Sequence, residues 1–151
     1  MKFRPPTDND WPVIWEIANQ SVADVPGAGV QDEWLVNRRG FSEHGFQHHF
    51  VLTDHGSVLG YGSVERASDA PPDIYRIFVV TAPEHLQECG ARIFDRAERK
   101  LMELSAVESR LVEYAEDHRL GSFLLARGYT EVREFQLDSG QQAVVLSKDY
   151  T

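Results

Sequence analysis

The stretch from Ile74 to Leu104 constrains the fold more than any other part of this 151-residue chain. Ile74-Tyr75-Arg76-Ile77-Phe78-Val79-Val80 is apolar at nearly successive positions and rich in β-branched and aromatic side chains. Such a run reads as a strand covered on both faces, because a strand with one wet face alternates. It passes through Thr81 to Gly90, read as a loop, into Ile93, Phe94, Ala97, Leu101 and Leu104, whose spacing is that of one helical face. A buried strand, a loop and a helix start, in that order, make a place where anions bind. The first helical turn leaves N–H groups unpaired, and the helix dipole favours negative charge there.

The flanking sequence supplies the partners for this unit. Met1 to Arg4 reads as a short edge strand stopped by Pro5-Pro6. Thr7-Asp8-Asn9-Asp10 and Pro12 open a helix that buries Ile14, Trp15, Ala18 and Val22. Pro26-Gly27-Ala28-Gly29 breaks it, and a second short helix with Trp34 and Leu35 is expected from Asp32. Gly40 to Gln47 reads as a loop. His49 to Thr53 and Val58 to Val64 form a hairpin around Asp54-His55-Gly56-Ser57. After the central helix come a strand from Ser109 to Tyr114 and a helix capped by Asp117 that buries Leu120, Phe123 and Leu124. That helix ends at Gly128, with Tyr129 folding back on it. Glu131 to Leu137 and Gln142 to Leu146 close the chain as a hairpin. Early hairpin strands with two strand–helix crossovers predict an α/β fold, an α+β mixed sheet of about seven strands with helices on both faces.

Composition narrows the function classes. The length fits one domain over residues 1–151 with a real core. A formal net charge of −9 argues against nucleic acid as a partner, which needs a basic surface. No apolar stretch approaches a membrane span. One cysteine cannot close an internal disulfide, so a reducing, cytoplasmic compartment is expected. No metal is expected: His44 and His48 share a helical spacing, but no third ligand accompanies them.

The order of elements and three local patterns resemble the GNAT superfamily of acyl-CoA N-acyltransferases across nearly the whole chain. Asp54-His55-Gly56-Ser57-Val58-Leu59-Gly60-Tyr61-Gly62 is similar to the family's β2–β3 hairpin. Val80 with Pro83-Glu84-His85 resembles the lead into its cofactor loop. Asp117 to Tyr129 resembles its late helix with a Gly-aromatic ending. The resemblance implies acetyl-CoA as co-substrate and a small-molecule or protein amine as acceptor, with direct attack in a ternary complex. A homodimer is within what it allows. Backbone donors of the fourth strand, here Phe78, Val79 and Val80, would face the thioester oxygen. Amides of Gln87, Glu88, Cys89, Gly90, Ala91 and Arg92 would cradle the pyrophosphate. Asp117 and Leu124 would border the cofactor arm, Asp117 also serving as a plain helix cap.

Two departures from that pattern stand out. The family's loop reads Arg/Gln-x-x-Gly-x-Gly/Ala, and three registers of this sequence compete for it. Reading from Gln87 puts Arg92 in the last small position; aligning on Ile93 and Phe94 puts Glu88 in the earlier one; starting from Pro83 puts Cys89 and Ala91 in the small places. In each, glycine is scarce and Glu84 and Glu88 lie near the expected phosphates. A carboxylate about 8 Å from a phosphate charge costs roughly 0.5–2 kcal/mol. The second departure is Leu124, where many relatives carry a Tyr that protonates the departing thiolate. For the proton taken from the attacking ammonium, the candidates are Glu65, Tyr75 and Glu113. Cys89 lacks a neighbouring base and reads as a small turn residue. The competing function is a catalytically decayed GNAT-fold binding or assembly module, favoured by the acid-bearing loop.

Overall fold

Every residue from Gly60 to Glu65 is buried, the pattern of a strand covered on both faces. A computed structural model describes residues 1–21, 46–66, 71–114, 118–136, 140 and 142–151. Its strands are β1 (Lys2–Arg4), β2 (Phe46–Asp54), β3 (Ser57–Arg66), β4 (Ile74–Thr81), β5 (Glu108–Tyr114), β6 (Thr130–Gln136) and β7 (Gln142–Asp149). Its α-helices are α1 (Trp11–Ser21), α2 (Ala91–Glu103) and α3 (His118–Ala126). The strands form one sheet in the order β1-β2-β3-β4-β5-β7-β6, with only β4 and β5 parallel. The expected mixed α/β sheet is therefore observed. The second short helix, with Trp34 and Leu35, lies outside the described residues, as does Val22.

Helices cover both faces. On one, Trp11 and Ile14 of α1 pack on Val51, Tyr61 and Val80. On the other, Ile93, Phe94, Ala97 and Leu101 of α2 and Phe123 and Leu124 of α3 join Phe50, Leu52, Val64, Tyr75 and Ile77. Each fully buried Leu, Ile or Phe here contributes about 1.5–3 kcal/mol. Gly60 and Gly62 let α2 approach the sheet. A Cβ on Gly62 would lie 2.6 Å from Ile93 Cγ2 and 2.7 Å from Phe50 Cζ, and one on Gly60 would lie 2.8 Å from the Val80 carbonyl oxygen. Glycine is needed at both positions because Ile93 occupies the space that a side chain would fill.

The ends of the elements follow local chemistry. His55 and Gly56 both have positive φ, 49° and 82°, the signature of a type I′ hairpin turn between β2 and β3. Gly128 has φ 96°; the Tyr129 amide donates to the Leu124 carbonyl at 3.0 Å and the Gly128 amide to the Leu125 carbonyl at 3.1 Å. That is the expected Schellman ending. α2 ends the same way without a glycine: Ser105 takes φ 56°, and Ala106 donates to Leu101 at 3.0 Å.

Several boundaries differ from expectation. Phe46 and Gln47 belong to β2 rather than to a loop, because the strand pairs with β3 as far as Glu65 across an irregularity between Phe46 and His48. Trp15 and Ala18 are half-buried, while Trp11 is 3% exposed and faces the core. β7 runs on to Asp149 because β5 pairs with it along its whole length. The largest difference is at Thr81 to Gly90. In place of a loop, Pro83–His85 form a 3-10 turn and Leu86–Gly90 a π-turn that continues into α2. Leu86, Cys89 and Gly90 are buried, so apolar packing winds a segment that a polar glycine loop would leave open.

Candidate functional site

β4 and β5 pair only at Ile74–Glu108, Tyr75–Ser109 and Arg76–Arg110. Beyond that point β4 stays with β3 up to Thr81, opposite Gly60, and β5 stays with β7 up to Tyr114, opposite Ala143. The sheet therefore splits after Arg76. Phe78 and Val79, on the part of β4 beyond the split, are half-buried, and Val80 is 4% exposed. Alternate residues of a strand aim their N–H and C=O groups to one side, so this edge of β4 carries polar backbone groups that no β5 ladder uses.

Above the split sits the wound segment. The helical run begins at Pro83, which lacks an N–H, and the His85 amide donates to the Ala82 carbonyl at 2.9 Å. The Ala91 amide donates to the Glu88 carbonyl. These two amides bracket the Leu86–Gly90 turn at the start of α2. Gln87, Glu88 and Arg92 are exposed, Ala91 is half-buried, and Cys89 is fully buried. Gly90 packs inward: a Cβ there would meet Leu86 Cδ1 at 3.1 Å and Phe123 Cζ at 3.5 Å. Burial first, and Glu88 next, push the Cys89 thiol up, which keeps it protonated at neutral pH.

The acid–base candidates are separated. Glu65 pairs with Arg76 in register and, two residues from Ser63 and four from Tyr61, faces the α1 side; it is 3% exposed. Tyr75 faces the α2 side inside the main core and is 5% exposed. The sheet lies between them. Glu113 stands in β5 opposite Val144, and its side chain lies outside the described residues. Asp117 also lies outside them; α3 begins at His118. Leu124 is fully buried and packs in the core with Tyr129. His44 is outside the described residues, and His48 is in β2.

Sequence reasoning passed over Ser63. It is fully buried, pairs in register with Phe78, and its Oγ has no hydrogen-bond partner among the described residues. A buried orphan hydroxyl is costly unless something meets it. The available signal was a serine between Gly62 and Val64 inside an expected strand. Beside it, the Tyr61 hydroxyl lies 3.4 Å from His49 Nδ1, so the α1 face carries His49, Tyr61, Ser63 and Glu65 in adjacent rows. Among the described residues no group of three or more His, Cys, Asp or Glu is placed to hold a metal ion. No helix of the described residues is long and apolar enough to cross a membrane.

No protein-family model matches the sequence, and no curated protein does. Solved structures do. A GNAT-family protein from Desulfovibrio desulfuricans is similar with a TM-score of 0.76 at 12% identity, over 98% of each chain. The ribosomal-protein-S18-alanine N-acetyltransferase of Escherichia coli is similar with a TM-score of 0.74 at 14% identity, over 98% of this chain and 92% of that one. The PaiA N-acetyltransferase of Thermoplasma acidophilum, solved with coenzyme A, gives a TM-score of 0.69 at 14% identity, over 99% and 98%. At these identities the likeness is one of fold, and the chain has the GNAT fold.

Proposed function

We propose that the protein, read as one domain over residues 1–151, is an acetyl-CoA-dependent N-acetyltransferase. Its acceptor is a small amine or an exposed amino group of a protein. The observation that carries this reading is the split between β4 and β5, with half-buried Phe78 and Val79 beside it. Acetyl-CoA fits: a slender arm needs an opened strand edge with backbone donors, and a pyrophosphate needs a helix start, and both are present here. Bound there, it supplies an acyl thioester.

The roles of the chain's own residues follow from chemistry. Phe78, Val79 and Val80 line the arm, and the β4 amides on the split side donate toward the thioester oxygen as negative charge builds on it. Amides within Gln87 to Arg92, at the start of α2, hold the phosphates, and Glu84 and Glu88 oppose them. Leu124 gives an apolar wall and no proton. Glu65, on the α1 face with Ser63, accepts the proton from the acceptor's ammonium, directly or through a water, so that the amine attacks as a neutral nucleophile. The similar structures that act on a ribosomal-protein alanine and on spermidine support an amine acceptor of either size. The single buried thiol supports a reducing, cytoplasmic setting.

A second reading, a non-catalytic binding or assembly module, is favoured by the wound Leu86–Gly90 turn and its two exposed acids, Glu84 and Glu88. Calorimetry with acetyl-CoA and desulfo-CoA separates the two. The enzyme reading expects saturable binding of both and thiol release with an amine or peptide panel. Absence of saturable binding at millimolar ligand overturns it.

A further inference from the structure

Helix α2 divides its charges between two sides. Asp95 and Glu98 are committed to the turn after α3 and to β7: Arg127 Nη2 lies 2.6 Å from Asp95 and 3.2 Å from Glu98, and Lys148 Nζ lies 2.7 Å from Glu98. The adjoining stripe carries Arg96, Arg99, Lys100 and Glu103, at the spacing of one helical face. With His48 of β2 they line a cavity of about 190 Å³. This cavity lies on the β1–β2 side of α2, two strands away from the split.

Three permanent cations and an imidazole face one carboxylate in this cavity. Lys100 Nζ lies 3.6 Å from Glu103 Oε2. Among the described residues neither Arg96 nor Arg99 has an ion-pair partner, although the chain as a whole carries nine more negative than positive charges. Arg96 is held in place by aromatic faces: its guanidinium carbon lies 5.2 Å from the Phe3 ring centre and 5.9 Å from that of Phe50. The His48 ring is 5.2 Å from Phe50. A guanidinium fixed by stacking keeps its N–H fork free for a planar or tetrahedral oxyanion, and little entropy is then lost on binding.

We propose that this cavity binds a small oxyanion with two or more negative charges, a phosphate or a di- or tricarboxylate, gripped by the Arg96 and Arg99 forks and by Lys100. The site is separate from the one proposed for acetyl-CoA and does not depend on that reading. His48 reports on occupancy. Burial first, then Arg96 and Lys100, hold its imidazole below the usual histidine range, with Glu103 opposing them. β1 sends Phe3 to this side, and β3 places Val64 opposite His48 with Arg66 two residues on. A bound dianion neutralises the cations and moves the His48 titration upward.

The test is an NMR titration of the full chain with inorganic phosphate and, separately, with citrate, at ionic strength held constant with sodium chloride. The proposal expects saturable shifts at His48 with at least one anion, and a rise in its titration midpoint at saturation. Arg99→Gln, at an exposed position, should weaken binding about fivefold or more, and so should Arg96→Lys, which keeps the charge but loses the fork. Phosphate alone or citrate alone identifies the ligand chemistry. Shifts no larger than the chloride control with both anions, or an affinity in both variants unchanged from that of the parent protein, overturn the proposal.

Discussion

Glu65 and Tyr75 stand on adjacent strands, one residue apart in register, and face opposite sides of the sheet. They cannot serve one proton path. Glu65→Gln is expected to lower kcat/KM by about a hundredfold or more. Tyr75→Phe should leave turnover within about threefold, since its hydroxyl is on the core side. Steady-state kinetics of both variants across pH decide this; equal losses in the two would sink the assignment of Glu65.

Glu84 and Glu88 lie on the exposed side of the wound turn ahead of α2. Replacing both with Gln should tighten acetyl-CoA by roughly 1–4 kcal/mol, with the gain shrinking as salt is added. Calorimetry at low and high ionic strength measures it. An unchanged affinity at low salt means that the phosphates lie elsewhere.

Leu124 is fully buried, and Gly62 has no room for a methyl group. Leu124→Ala is expected to cost about 2–5 kcal/mol through the cavity it leaves. Gly62→Ala should cost about 1–3 kcal/mol for the opposite reason, overpacking against Ile93 and Phe50. Denaturant unfolding reads both.

Ser105 ends α2 with φ 56°, in the role that Gly128 plays for α3. Ser105→Gly removes the Cβ penalty of the left-handed conformation and should stabilise the fold by about 0.5–1 kcal/mol. A lower melting temperature in this variant would mean that the hydroxyl carries a contact worth more than the strain.

Arg4 grips Asp10 with both nitrogens, at 2.7 and 2.9 Å, and the Thr7 amide donates to the same carboxylate at 2.6 Å. The Arg4 guanidinium, against the cost of burial and with help from Thr7, holds Asp10 below the usual carboxylate range. A lowered folded value means that the stabilisation is present above the unfolded range, near pH 4, and is lost as pH falls through the folded value. Asp10→Asn should therefore cost about 1–3 kcal/mol at neutral pH, and its deficit should shrink on acidification. Chemical unfolding at several pH values tests this; a deficit independent of pH argues against the pair.

What the sequence determined was local. The apolar run of β4, the helical stripe Ile93-Phe94-Ala97-Leu101, the His55-Gly56 turn and the Gly128 ending are each specified by near neighbours through periodicity and backbone conformation, and all stand where expected. Only the tertiary structure decided three further things. Leu86, Cys89 and Gly90 find a core to pack against, so Pro83 to Gly90 winds into helical turns instead of an open loop. β5 pairs with β7 for its full length but with β4 for three residues only, so the sheet opens between β4 and β5 beyond Arg76. Register sets Glu65 against one helix and Tyr75 against another, because successive side chains of a strand point to opposite faces. Each of the three depends on contacts between residues far apart in the chain, which no local pattern encodes.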